Sequence, residues 1–233
     1  MKINVLCTIC MRDGSKGVKD KCIKKINNKR LFLYTAEIAK KLNFIDEIVV
    51  STNSKKYKKI CEKYNLNVPF IRSEKLSRDS SPKIPVVKDA LLKSEKIFKK
   101  KFDIIIDLDV SSPLRIKEDV SKAFNKFIKS KFGILFSVCN SKKNPYYNMI
   151  ELNNNYVKPV KNNKFFKRRQ DAPKVYDANA SIYIWKRDYL INRRTLFTKN
   201  TGIYIMPEIR SMDIDSNDDF KIVEFLLKNG LSK

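Results

Sequence analysis

The chain has 233 residues, 42% of them hydrophobic, and it carries 50 Lys and Arg against 25 Asp and Glu. A chain of this length is expected to fold as one globular domain over residues 1–233, without a stabilising disulfide or metal. It contains no histidine, which excludes a histidine base, a Ser-His-Asp triad and a histidine-ligated metal. No apolar run approaches the ~18 residues of a membrane helix, and the first apolar run is interpreted as a strand rather than a signal peptide. We therefore expect a cytoplasmic protein with no membrane partner.

The net charge of +25 would attract anionic ligands. A charge of this size is also found in nucleic-acid-binding proteins. Here the basic residues are spread along the whole chain among Asn and Ile, which indicates compositional drift as much as a designed surface. Because no nucleic-acid-binding motif is present, a small anionic substrate is favoured over nucleic acid.

Apolar runs alternate with segments of helical periodicity. Strands are predicted at 3–9, 46–52, 68–71, 103–108, 134–138, 181–185 and 202–206. Helices are predicted at 31–42, 55–64, 84–98, 118–128 and 216–227. The last helix opens with a capping box formed by Ser216 and Asp219. This alternation predicts βαβ units around a mostly parallel sheet.

The pattern changes between residues 140 and 178, where turn-forming residues separate short apolar stretches. So thin a segment would not bury its own aromatic residues, which are Tyr146, Tyr147, Phe165 and Phe166. We therefore expect 140–178 to protrude from the sheet and to dock on a second copy of the chain, giving a two-fold dimer.

A basic, glycine-containing loop connects the first predicted strand to the first predicted helix. Its notable residues are Arg12, Gly14, Ser15, Lys16, Gly17 and Lys21. Backbone N–H groups and cationic side chains in such a loop can bind an anion, and several cations together indicate a polyphosphate. The glycine spacing matches neither the P-loop nor the dinucleotide fingerprint, so a solvated surface turn remains the alternative.

Two pairs of carboxylates are candidate site residues. Asp107 and Asp109 end the strand predicted at 103–108, and open α/β sheets bind ligands at the carboxyl ends of their strands. Asp213 and Asp215 alternate in an extended segment, so their carboxylates share a face. Such a pair can hold Mg²⁺, which prefers oxygen ligands and substrate phosphates. The alternative for Asp107 and Asp109 is a strand end followed by residues that lead into a helix, and the alternative for Asp213 and Asp215 is surface charge at a strand end.

Basic side chains stand out at two further places. Arg168 and Arg169 form a pair that could hold a carboxylate bidentately, although a solvated charge run is the alternative. Arg72 follows the strand predicted at 68–71, and a loop leading to the next helix does not account for it.

Six motifs in this order resemble the acylneuraminate cytidylyltransferases, the family of CMP-sialic acid and CMP-legionaminic acid synthetases, over nearly the whole chain. They are R-x-G-S-K-G-x-x-x-K at 12–21, P-F-I-R at 69–72, S-P-L-R at 112–115, R-R-Q-D-x-P at 168–173, N-A-S-I-Y-I at 179–184 and R-S-x-D-I-D at 210–215.

The resemblance implies a Rossmann-like, three-layer α/β/α domain of the nucleotide-diphospho-sugar transferase type. It implies transfer of CMP from CTP to the anomeric hydroxyl of a nine-carbon 2-keto sugar acid, with Mg²⁺ as cofactor and release of pyrophosphate. It also implies a homodimer in which the protruding segment reaches over the partner's site.

The resemblance assigns a role to each candidate residue. The expected CTP-binding residues are Arg12, Gly14, Ser15, Lys16, Lys21 and Arg72. The expected catalytic residues are Arg12, Lys16, Lys21 and Asp213, the cations stabilising charge on the leaving pyrophosphate. The expected magnesium ligands are Asp213 and Asp215. The expected sugar-binding residues are Asp109, Arg168, Arg169, Gln170 and Tyr183.

Three residues depart from the family pattern. Asp13 places a negative charge in the anion loop where a small residue is usual, and Cys22 replaces an asparagine that would bond the nucleotide. Asp109 replaces a glutamine of the sialic acid enzymes, and this version of the motif resembles members linked to legionaminic acid. Two alternatives therefore stay open: a CMP-Kdo-type or other sugar nucleotidyltransferase, and a weakened nucleotide-binding homologue.

Overall fold

The computed structural model describes residues 2–161, 166 and 168–231, with only the backbone of Arg169. The strands are β1 Val5–Cys10, β2 Lys25–Ile26, β3 Lys29–Arg30, β4 Glu47–Ser51, β5 Ile104–Leu108, β6 Ile134–Asn140, β7 Ile150–Asn153, β8 Tyr156–Pro159, β9 Tyr176–Lys186 and β10 Thr201–Ile205. The α-helices are α1 Leu31–Lys40, α2 Lys55–Glu62, α3 Lys83–Phe98, α4 Lys117–Ile128, α5 Arg187–Asn192 and α6 Asn217–Lys228. Short 3₁₀ turns cover Lys21–Ile23, Glu74–Leu76, Arg169–Asp171 and Glu208–Ser211.

The central sheet has the strand order β10-β6-β9-β5-β1-β4. Strand β1 runs parallel to β4 and to β5, and β10 runs parallel to β6. Only β9, among the strands of this sheet, is antiparallel to its neighbours β5 and β6. The predicted mostly parallel α/β sheet is therefore confirmed.

Helices cover both faces of the sheet, because alternate strand residues point to opposite sides. Cys7 and Ile9 of β1 join a core with the buried faces of α1, α2, α4 and α6. Leu6 of β1 joins a second core with Trp185, α3 and α5. A strand buried on both sides is continuously apolar, which explains the buried Ile-Ile-Ile run that opens β5. The three-layer arrangement expected from the family resemblance is therefore confirmed.

The predicted strand at 68–71 was wrong. Only isolated parallel bridges flank it, from Asn67 to Val49 and from Ile71 to Thr52. Pro69 lies between them and lacks the N–H that a continuous ladder requires. The bridges still place this segment beside β4.

The protruding segment is shorter than the predicted 140–178. Strand β6 continues to Asn140 and β9 already begins at Tyr176, so both ends of that range belong to the sheet. Between them lies the antiparallel hairpin of β7 and β8. Tyr146 packs edge-on against Phe166, whereas Phe165 lies outside the described residues.

The capping box predicted for α6 is confirmed, since the Ser216 hydroxyl accepts a hydrogen bond from the amide of Asp219 and the Asp219 carboxylate accepts one from the amide of Ser216. In the described part of the chain, no helix has the length and apolar character needed to cross a bilayer.

Candidate active site

A cavity of about 480 Å³ lies where β1 and β5 end, at the carboxyl edge of the sheet. Its wall is formed by the end of β1 with the loop after it, the segment from Arg72 to Val86, the turn after β5, and Asp215. This edge is the usual ligand site of open α/β sheets. The cavity brings together many of the predicted residues: Arg12, Ser15, Lys16, Lys21, Arg72, Asp109 and Asp215.

The loop after β1 packs directly against the segment at residues 213–215. A Cβ on Gly17 would lie 1.8 Å from the carbonyl oxygen of Asp215, so only glycine allows this approach. Lys21 strengthens the contact, because its Nζ donates to the carbonyl of Ile214 and lies 3.2 Å from Asp215 Oδ1. The two ends of the sequence therefore meet in one site.

Arg12 and Lys16 are both paired with Asp79, from the loop before α3. Arg12 contacts Asp79 Oδ1, and Lys16 Nζ lies 2.8 Å from Asp79 Oδ2. The hydrogen bond from Lys16, reinforced by Arg12, lowers the pKa of Asp79. The loop cations are thus already arranged around one anionic group.

Asp13 and Gly14 lie at the outer side of this loop. Gly14 has a left-handed φ of 78°, a conformation that glycine adopts without strain. Its amide donates to Asp13 Oδ1 at 2.8 Å, and the amide of Asp13 donates to Asn53 Oδ1 at 3.0 Å. Asp13 is exposed and is not among the described residues that line the cavity.

Arg72 is a buried part of the cavity wall, and hydrogen bonds within the protein occupy its guanidinium. It donates to the carbonyl of Met11 at 2.7 Å, to the carbonyl of Ser51 at 3.1 Å and to the Ser77 hydroxyl at 3.1 Å. These bonds tie the start of the loop after β1 to β4 and to the loop before α3. Arg72 therefore has a structural role, and its direct contact with CTP stays a prediction.

Asp107 and Asp109 share one partner that the sequence did not reveal. Lys83 Nζ donates to Asp107 Oδ2 at 3.0 Å and to Asp109 Oδ2 at 2.9 Å. Burial alone would raise the pKa of Asp109, but Lys83 outweighs it and lowers that pKa to about 2. Asp109 is therefore an ionised acceptor at the cavity wall at any physiological pH.

Arg115, the last residue of the S-P-L-R motif, holds the backbone of Asp109 in place. Arg115 is fully buried and donates to the carbonyl of Asp109 at 3.1 Å, to the hydroxyl of Thr35 at 2.8 Å and to the carbonyl of Ser181 at 2.7 Å. It joins the end of β5 to α1 and β9, which fixes the turn that carries Asp109.

Residues 213–215 lie between the 3₁₀ turn Glu208–Ser211 and helix α6, where other contacts hold them in place. Ile214 is buried and its amide donates to the carbonyl of Ser111 at 2.9 Å. Arg210 forms a bidentate pair with the buried Asp119, at 2.9 and 3.0 Å. Asp215 is exposed and lines the cavity, whereas Asp213 is half-buried and is not among the described residues that line it. Burial, together with the charges of Asp215 and Asp109, raises the pKa of the Asp213 carboxyl.

No group of three or more acidic or cysteine side chains with metal-binding spacing occurs within the described residues. Cys22 lines the cavity, and burial raises the pKa of its thiol to about 11. The thiol stays protonated near neutral pH and is only a weak hydrogen-bond donor.

The predicted sugar-binding residues are divided between two places. Arg168 is exposed on the protruding segment and forms a bidentate pair with Asp171 at 3.0 and 3.1 Å. Gln170 is also exposed there, and the side chain of Arg169 is outside the described part. Tyr183 is buried on β9, stacked on Trp185, beneath Lys83. Of the predicted sugar-binding residues whose side chains are described, only Asp109 lines the cavity of its own chain.

The cavity thus combines a cationic loop with carboxylates at the carboxyl edge of a three-layer α/β fold. A cytidylyltransferase family model matches residues 6–228, nearly the whole chain. The chain belongs to the cytidylyltransferase family. The family resemblance drawn from the sequence motifs is confirmed.

Relatives of this cytidylyltransferase cover it almost end to end. It is 48% identical to the post-translational flagellin modification protein B of Campylobacter coli, over 96% of the chain and 95% of that protein. It is 46% identical to the CMP-N,N'-diacetyllegionaminic acid synthase of Campylobacter jejuni, over 96% of the chain and 94% of that protein. A solved CMP:2-keto-3-deoxy-manno-octonic acid synthetase in complex with CTP superposes with a TM-score of 0.70 over 97% of the chain and 99% of its own. At 15% identity, that similarity shows the fold alone.

Among the residues of this cavity, sequence reasoning missed Asp79 and Lys83, the partners of predicted site residues of this cytidylyltransferase. Both belong to a segment that was interpreted as a loop leading into a helix. Their partners lie far away in sequence, so no local spacing indicated them. One available signal was a lysine at the first position of a helix, where the dipole disfavours a cation.

Proposed function

We propose that this cytidylyltransferase transfers CMP from CTP to a nonulosonic acid and releases pyrophosphate, with N,N'-diacetyllegionaminic acid or a related sugar acid as acceptor. The single observation that carries the proposal is the cavity, in which the cations of the loop after β1 face Asp109 and Asp215. The 46% identity to a CMP-N,N'-diacetyllegionaminic acid synthase over nearly the full length supports the choice of sugar acid.

The reaction is a displacement at phosphorus. The anomeric hydroxyl oxygen attacks the α-phosphorus and forms the new P–O bond. The bond from the α-phosphorus to the bridging oxygen breaks, its electron pair leaves with pyrophosphate, and the hydroxyl proton passes to water. Such a reaction depends on positioning and charge stabilisation rather than on a covalent intermediate. The absence of histidine is compatible with it.

The residues of the loop after β1 supply that stabilisation. Arg12 and Lys16 would exchange Asp79 for phosphate oxygens, since all three side chains line the cavity. Lys21 is already fixed by Ile214 and Asp215, so its charge is in place before the leaving group develops its own. Preorganised charge of this kind is worth more than a flexible surface cation.

Asp213 and Asp215 fit a magnesium ion. They offer carboxylate oxygens two residues apart, and a cation bound there would offset the mutual repulsion by which Asp215, together with burial, raises the pKa of Asp213. Two carboxylates are too few for a protein-only site, but Mg²⁺ typically completes its shell with water and substrate phosphates. When bound, the ion would neutralise phosphate charge and polarise the phosphate.

The exposed apolar surface of the protruding segment supports the proposal of a homodimer. Ile150, Leu152 and Tyr156 of the β7–β8 hairpin are 66%, 71% and 69% exposed. An apolar groove near the base of this segment is lined by residues that include Tyr176 and Phe197. A second copy could cover both surfaces in a two-fold arrangement.

The dimer would also complete the sugar site. Arg168 and Arg169 would approach the carboxylate of the sugar acid held by the partner chain. A guanidinium can pair with such a carboxylate through two parallel hydrogen bonds.

The test is a pyrophosphate-release assay with CTP, Mg²⁺ and a panel of nonulosonic acids. We expect turnover with N,N'-diacetyllegionaminic acid or a close relative and little with sialic acid. Release that does not depend on the sugar acid would contradict the proposal.

A further inference from the structure

Lys83 occupies a position that needs an explanation. It is the first residue of the 16-residue helix α3, where the helix dipole disfavours a positive charge. Its side chain is only 23% exposed, and a poorly solvated ammonium is costly unless partners satisfy it. The start of a helix does not by itself favour a lysine at this position, so other contacts must account for Lys83.

Its partners join a buried anchor to the cavity. Asp107 is fully buried, and its second oxygen accepts a hydrogen bond from the Thr8 hydroxyl at 2.7 Å. Asp109 is 23% exposed and lines the cavity. Lys83 bridges the two carboxylates and lies 5.1 Å from the centre of the Tyr183 ring. The ammonium is therefore held from three sides.

Asp109 is oriented through both of its oxygens. Oδ2 accepts from Lys83, and Oδ1 accepts from the amide of Ser111 at 2.9 Å. A carboxylate oxygen can accept more than one hydrogen bond, so each oxygen keeps acceptor capacity toward the cavity. The Asp109 carboxylate is thus held in one orientation and can still accept a hydrogen bond from a ligand.

The charge of Asp109 limits what it can recognise. A fixed carboxylate repels phosphate and the carboxylate of a sugar acid, which are the anionic parts of the two substrates. It attracts a neutral donor, such as a hydroxyl group or the N–H of an acylamino group. Such donors are the neutral substituents of a nonulosonic acid.

We propose that Lys83 is a positioning residue for sugar specificity, which fixes Asp109 as the acceptor for a hydroxyl or acylamino N–H of the sugar acid. This rests on the proposed function and deepens it. Without Lys83, Asp109 loses one of its two anchors and faces Asp107 without a shared cation. Discrimination between sugar acids that differ at the recognised donor should then fall.

The experiment compares wild type with Lys83→Met, Lys83→Arg and Lys88→Met. Lys88 is the matched control, because it lies on the same helix and donates to the carbonyl of Ile191 instead. We expect Lys83→Met to raise the KM for the sugar acid about tenfold or more, with a much smaller change in CTP affinity by calorimetry. Lys83→Arg should restore most of the loss, and Lys88→Met should match wild type.

The second measurement is the relative kcat/KM for a panel of nonulosonic acids that differ in hydroxyl and acylamino groups. A purely structural role of Lys83 would leave these ratios unchanged. Lys83→Met should reduce the preference among these acids, and not merely lower all rates together. Because a lone buried Asp107 could prevent folding, the double variant Lys83→Met/Asp107→Asn removes that charge as well and should show the same loss of preference.

If Lys83→Met and Lys83→Met/Asp107→Asn both keep the wild-type preference among the sugar acids, the inference is overturned. A loss confined to CTP binding, which would assign Asp109 to the nucleotide, would also overturn it. A wild type that releases no pyrophosphate with any nonulosonic acid would instead refute the proposed function itself, a result that is seen before any variant is compared.

Discussion

Replacing Lys21 with alanine should lower turnover much more than it lowers the stability of the fold. The Lys21 side chain is only 14% exposed and lines the cavity, so its charge is held at the site. Its ion pair is with Asp215, which is 76% exposed, and such pairs contribute only about 0–1 kcal/mol to stability. Removing one preorganised donor for developing negative charge typically costs ~10²–10³ in kcat, or about 3–4 kcal/mol.

Steady-state pyrophosphate release at saturating CTP and sugar acid measures this loss. Lys19→Ala is the control, since Lys19 is an exposed cation of the same loop and is not among the described residues that line the cavity. The control should stay within about twofold of wild type, as surface substitutions usually do. A fully active Lys21→Ala enzyme, or equal losses in both variants, would refute a positional role for Lys21.

Three other predictions concern the metal, the anion loop and assembly. Asp213→Asn should lose most Mg²⁺-dependent turnover and keep the wild-type melting temperature. Near-normal activity of this variant in a magnesium titration would contradict the assignment of Asp213 as a magnesium ligand. Asp13→Gly should leave CTP affinity unchanged by calorimetry, because Asp13 is exposed and bonds the Gly14 amide; tighter binding would show that its charge faces the triphosphate. Light scattering at micromolar concentration should show a dimer, and Ile150→Glu with Leu152→Glu, on one face of β7, should yield monomers; a fully active wild-type monomer would contradict the dimer.

The strong periodic signals in the sequence predicted most of the fold. Strands β1 and β5 are short, mostly apolar and almost entirely buried, and β4 contains a buried Val-Val pair, so the apolar runs between predicted helices identify these strands and their parallel pairing. The failure at 68–71 has a local cause, since Pro69 interrupts the ladder. The early start of β9 was missed because its first residues, from Tyr176 to Asn179, are mostly polar.

The site was less predictable because its contacts cross long sequence separations. The family resemblance brought Arg12, Lys21 and Asp215 into one hypothesis, and the structure places them in one cavity. Nothing in the spacing could indicate that Lys83 bridges Asp107 and Asp109. A pairing of this kind depends on where the start of α3 meets the end of β5, which only the folded chain determines.

The most direct test of the proposed reaction is identification of its product by mass spectrometry, with CTP, Mg²⁺ and N,N'-diacetyllegionaminic acid as substrates. A CMP-linked sugar should form in equal amount with pyrophosphate, and no product should form from an eight-carbon 2-keto sugar acid under the same conditions. Product from the eight-carbon acid, with none from any nonulosonic acid, would contradict the proposed substrate class.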